Sequence, residues 1–109
     1  MIGRALDIVG DAWTLLIIRD ALAGTTRFGE FQRHLGLGPN ILAARLRALV
    51  EQGVLNTRAS SQRADWSDYV LTEKGVRLQS VLAALRQWGS DHCVAIGDGD
   101  DSAATQEAQ

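Results

Sequence analysis

The chain has 109 residues, 46% of them hydrophobic, with 11 bases, 13 acids and a formal net charge of −2. That length suits one compact domain and is short for two. The absence of any run of about 18 apolar residues argues against a membrane-spanning segment, and the opening residues lack the basic-then-apolar pattern of a secretory signal. A single cysteine, Cys93, rules out an internal disulfide framework and fits a reducing cytoplasm.

Met1–Val9 opens with Leu6 and Val9 spaced for one helical face, and Gly10 follows as a stop. Asp11 is placed to cap the next helix through its carboxylate. From Trp13 to Leu22 the apolar positions cover most of the helix circumference, which predicts a central helix covered on several sides. Gly24 ends it. Thr26 is then expected to cap a short helix, Arg27–Leu35, whose Phe28, Phe31 and Leu35 share a face. Gly36 and Gly38 make a turn, and Pro39 suits the first position of the following helix. Ile41, Leu42, Leu46, Leu49 and Val50 predict that helix's buried stripe, and Gly53 terminates it.

Val54–Ala59 and Ser67–Thr72 are short, partly alternating segments joined by the polar stretch Ser60–Trp66, the pattern of an antiparallel hairpin. A last helix is expected from Thr72 to about His92. Its apolar residues Val76, Leu78, Val81, Leu82, Leu85 and Trp88 form a stripe wider than a small domain's own core needs. Residues 1–92 thus read as one folded domain, and 93–109 as an acidic tail with little to bury, expected to be disordered.

Charge placement says more than the total. Residues 94–109 carry four acids (Asp98, Asp100, Asp101, Glu107) and no base, which leaves nine acids against eleven bases, or +2, over residues 1–93. Between Thr26 and Arg63, six arginines (Arg27, Arg33, Arg45, Arg47, Arg58, Arg63) face two acids (Glu30, Glu51), giving +4. Two helices around a glycine turn followed by a hairpin make a helix-turn-helix with a wing, and the basic excess falls on it. Asn40, Ala43, Ala44 and Arg47 lie mostly opposite the buried stripe and are the base-reading candidates. Asn can pair with adenine, Arg with guanine or a phosphate, and Ala methyls can touch thymine. Arg27, Arg45, Arg58 and Arg63 are candidates for the DNA backbone or minor groove, with Arg45 alternatively bridging helices through Glu30 or Glu51.

Other chemistries find less support. Trp13 and Trp88 sit on apolar helical faces and fit cores or a dimer seam, whereas Trp66 stands in a polar loop, to pack under the wing or meet a partner. His34 and His92 are isolated, and no catalytic set, metal spacing or phosphate-binding glycine loop is present. No enzyme activity, metal or cofactor is expected.

In this order and spacing the motifs resemble the HxlR-type winged helix-turn-helix transcriptional regulators, relatives of the MarR group. The resemblance covers about Arg4 to His92: RALDIVGDAWTLLIIRDALAG, RFGEFQRHL, the Leu42, Arg45, Leu46, Leu49 pattern after Pro39, Gly53–Leu55 and YVLTEKG. It implies a mainly α fold with a small β-hairpin, dimerising through the N- and C-terminal helices, and a homodimer binding inverted or direct repeats of double-stranded DNA near promoters. Two recognition helices would then enter successive major grooves. Departures fall on Asn40 and Ala43–Ala44, where the family often has lysine and Ser-Glu, and on the wing QRADWSD. Two other readings are a winged-helix protein-docking module and a ligand-gated regulator with a small-molecule effector between Trp13, Trp88 and the dimer seam.

Overall fold

The computed structural model describes residues 1–63 and 65–93, so the expectation of a disordered acidic tail falls, beyond Cys93, outside the described residues. The order of elements is α1 (Ile2–Val9), α2 (Ala12–Leu22), α3 (Phe28–Leu35), α4 (Pro39–Glu51), β1 (Leu55–Ala59), β2 (Ser67–Leu71), α5 (Glu73–Val76) and α6 (Gln79–His92). The chain divides into two units, Met1–Gln79 and the part from Ser80 onward.

In the first unit α2 is the central helix, packed against α1, α3 and β2. Its start is fixed as its sequence suggests, with Asp11 Oδ1 accepting from the Thr14 N–H at 3.0 Å. Ile17 and Ile18 are fully buried and join Phe31, Leu42, Leu46, Leu49, Val54 and Leu55 in the core. On α1 the expected face divides, with Val9 buried and Leu6 exposed.

The α3–turn–α4 unit follows the glycine signals. Gly36 ends α3 with φ +68, a left-handed conformation that costs glycine little and other residues more. Gly38 begins α4 in an extended conformation and Pro39 fills its first turn. The cap of α3 departs from expectation: Arg27 occupies the N-cap position and no side chain caps the helix. Thr26 is engaged elsewhere, its carbonyl accepting from Tyr69 N–H of β2 at 2.8 Å.

β1 and β2 pair antiparallel, with Leu55 opposite Leu71, Arg58 opposite Asp68 and Ala59 opposite Ser67. Thr72 closes the hairpin's open end. Its hydroxyl donates toward Gly53 O (2.6 Å) and lies 3.2 Å from Val54 O, and it accepts from Gly75 N–H at 3.0 Å. A Cβ on Gly75 would overlap the Val54 carbonyl oxygen and sit 2.8 Å from Leu71 Cδ2, so only glycine permits this approach.

The expected single helix from Thr72 to His92 is broken. After α5, Leu78 N–H bonds to Gly75 O three residues back, a tighter turn than the helix's own, and a separate helix begins at Gln79. Gly75, weak in helix propensity and held against Val54, lies within the short α5 just before this break. Within α6, Val81, Leu85 and Trp88 are exposed and spaced along one stripe, and Trp88 lies against His92 with ring centroids 5.1 Å apart.

Candidate nucleic-acid interface

The buried side of α4 is set by Leu42, Leu46 and Leu49, one turn apart and almost wholly inaccessible. Asn40, Ala43 and Arg47 are therefore exposed together, with Ala44 half-buried beside them. Spacings of three and four residues make them neighbours on one helical surface. Ile41 departs from its expected burial: it is 47% exposed. It adjoins Leu42 but lies about 100° round the helix from it, outside the stripe. Ile41 is the candidate contact that the stripe pattern missed, an aliphatic group able to meet a thymine methyl.

Two polar links fasten this helix. Arg45 donates through Nε (3.2 Å) and Nη2 (2.9 Å) to the two Asp11 oxygens, a forked pair between α4 and the start of α2. The helix-bridging role of Arg45 is the one its geometry favours, with Asp11 as partner rather than Glu30 or Glu51. The bound guanidinium holds the Asp11 carboxyl below its ordinary pKa, with the Thr14 N–H adding to the effect and partial burial opposing it. Behind α4, Lys74 Nζ donates to Gln52 O at 2.6 Å, placing a cation on the helix's C-terminal carbonyls. Arg47 has no ion pair or side-chain hydrogen bond among the described residues.

The remaining backbone candidates, Arg27, Arg58 and Arg63, lie on or beside the wing. Arg58 is exposed on β1, while Asp68 opposite it is buried. Arg63 donates to both oxygens of Asp65, at 3.1 and 3.0 Å. Arg27 reaches from the start of α3, its Nε 4.0 Å from Asp68 Oδ1, an oxygen that is buried without a hydrogen bond. Both Arg27 and Arg63 lie against Trp66. The structure thus brings the four candidate base readers onto one helical surface and two backbone candidates onto one indole, and assigns Arg45 to a different contact.

Sites of other kinds are sparse. His34 Nδ1 sits 2.9 and 3.1 Å from the Asp20 oxygens, a link between α3 and α2. Among the described residues no three His, Cys, Asp or Glu side chains gather as a metal would require, and no helix is long and apolar enough to cross a membrane. An apolar cavity of about 150 Å³ is lined by Ala5, Ile8, Val9, Val54, Lys74 and Leu78, and by neither Trp13 nor Trp88.

Residues 8–96 match the HxlR-like helix-turn-helix family. The chain is 43% identical over 91 residues to Rv3095 of Mycobacterium tuberculosis, an uncharacterised HTH-type transcriptional regulator, covering 84% of this chain and 58% of that protein. YvaP of Bacillus subtilis, also an uncharacterised HTH-type transcriptional regulator, is 30% identical across 81% of this chain and 82% of its own length. The solved structure of PA1607 superposes with a TM-score of 0.81 at 52% identity, covering 86% of this chain and 66% of that one. The reduced form of the transcriptional regulator YodB from B. subtilis gives 0.73 at 28% identity, covering 84% and 90%. The chain thus spans less than two thirds of the length of Rv3095 and of PA1607. With its helix-turn-helix, its hairpin wing and this match over most of its length, the chain belongs to the HxlR-like helix-turn-helix family.

Proposed function

We infer that this chain is a sequence-specific, non-enzymatic DNA-binding transcriptional regulator that acts in the cytoplasm as a homodimer on promoter repeats. The observation that carries the reading is the outer surface of α4. Asn40, Ala43, Ala44 and Arg47 stand there without an acid until Glu51, on a helix whose other side is locked into the core. A helix so presented fits a major groove, and a wing bearing Arg58 and Arg63 supplies phosphate or minor-groove contacts beside it. The names of Rv3095 and YvaP support the same role.

The homodimer is supported by apolar side chains that each unit leaves in solvent: Met1 before α1, Ile2 and Leu6 on it, and Val81, Leu85 and Trp88 on α6. Pairing of two copies through these helices removes that surface from water, and half-sites one DNA turn apart would require the two reading helices to stand about 34–36 Å apart. Sedimentation of the purified chain is expected to give twice the monomer mass.

The test of the DNA reading is Arg47→Ala in a gel-shift series on a selected duplex. Affinity should fall by roughly 1–3 kcal/mol, and the preference for one base pair should relax. Unchanged binding and preference would remove Arg47 from the reading surface.

A further inference from the structure

We propose that Trp66 is a positioning residue for DNA-backbone binding: its indole holds Arg27 and Arg63, from two distant parts of the chain, as a paired clamp for phosphodiester groups. The proposal rests on the DNA-binding reading above and assigns a role to the one tryptophan that neither the core nor a helical stripe explains.

Trp66 is 44% exposed although it is the largest apolar side chain in its loop. Arg63 Cζ lies 4.6 Å from the ring centroid and Arg27 Cζ 5.5 Å from it. Both fall within the roughly 6 Å over which a guanidinium is attracted to an aromatic face. The ring's place is set by backbone. Ser60 N–H donates to Trp66 O at 2.8 Å, and Trp66 N–H donates to Arg63 O at 3.1 Å. Three residues on, Tyr69 N–H is bonded to Thr26 O, next to Arg27. The loop that carries Trp66 and the turn that carries Arg27 are therefore joined through main chain before any side chain is considered.

Two cations drawn to one ring repel each other. Attraction to the indole offsets this, and a carboxylate flanks each guanidinium: Asp68 Oδ1 at 4.0 Å from Arg27 Nε, and Asp65 at 3.0 and 3.1 Å from Arg63. Asp68 is buried in the hairpin, while Asp65 is exposed at the loop. Asp65 holds the fork of Arg63 as a phosphate would, so a DNA phosphate can take over those donors without rebuilding the side chain. Holding two long side chains in place beforehand spares part of the ordering cost that binding otherwise carries.

The experiment compares the full chain with Trp66→Leu and Trp66→Phe on one duplex at several salt concentrations, each variant first checked for a cooperative melt. Trp66→Gln stands in for the leucine variant should that one not fold. Trp66→Leu should bind about three- to tenfold more weakly. Its plot of log affinity against log salt should be shallower by roughly one to two phosphate contacts. Trp66→Phe, which keeps an aromatic face, should recover most of both. Arg63→Ala should cost clearly less in the Trp66→Leu background than in the wild type. A wild type that responds to salt beside a Trp66→Leu variant of equal slope would overturn the clamp alone. So would a phenylalanine variant as weak as the leucine one. A wild type whose duplex affinity ignores salt would overturn the DNA-binding reading as well.

Discussion

Helix α4 is fastened along its length, whereas the wing is fastened at its base and arranged by side chains at its tip. Leu42, Leu46 and Leu49 bury one side of α4, Arg45 ties it to the start of α2, and Lys74 holds the carbonyl of Gln52 at its end. The hairpin has its own ladder, the Thr72 closure and the Tyr69–Thr26 bond, but beyond Ala59 its polar loop relies on Ser60–Trp66 pairing, an exposed ion pair and a stacked ring. Core burial is worth about 25 cal/mol per Å² of apolar surface, and exposed ion pairs contribute about 0–1 kcal/mol each. Helix α4 is therefore the more firmly fixed of the two and the wing tip rests on weaker contacts, which suits the base-reading role proposed for the first and the backbone role proposed for the second.

The sharpest way to break this contrast is to hollow the fixed side. Leu46→Ala should cost about 2–5 kcal/mol in urea unfolding, because nothing at a fully buried position refills the space. Asp65→Asn, at the wing tip, should leave the urea midpoint nearly unchanged, and a large shift there would remove the contrast. Gly75→Ala strikes the joint between hairpin and α5. Its new Cβ meets the Val54 carbonyl and Leu71, so a loss of about 1–3 kcal/mol is expected, checked by thermal melting. Asp11→Ala removes both a helix cap and the partner of Arg45, and should cost about 1 kcal/mol.

Acid probes the same Asp11 contact. Its carboxyl is held below the ordinary aspartate value of about 4. The group's contribution is therefore complete above that value and is lost as the pH falls through the lower, folded-state one. Comparing wild type with Asp11→Asn down an acid series should show their difference shrinking in that window; a constant difference would assign the effect to packing.

Much of this was legible in the residues. Gly36, Gly38, Pro39 and Gly53 mark helix ends by backbone chemistry that acts locally, and the helix-turn-helix followed from them. The hairpin was readable because its two short runs are separated by a polar loop. Contacts between distant residues were not. Arg45 and Asp11 are 34 positions apart, and the periodicity of α4 placed Arg45 beside the stripe without naming what it would meet. The apolar stripe expected of α4 includes Ile41 with Leu42, although a helix turns neighbouring side chains apart by about 100°. Thr26 has the composition of a cap, but its carbonyl is needed by β2, and Arg27 takes the cap position. Trp66 was visibly out of place, and only the fold brought Arg27 to it.

The Tyr69–Thr26 hydrogen bond has a consequence for solubility. It occupies the outer side of β2, so the wing offers neighbouring molecules one open strand edge rather than two. That edge belongs to β1, which is five residues long and receives no backbone hydrogen bond from outside the hairpin among the described residues. Short length and a central charge are the devices by which sheet edges resist pairing with other chains. Arg58, on that exposed run, sets a charge where the wing of a second copy would have to pair.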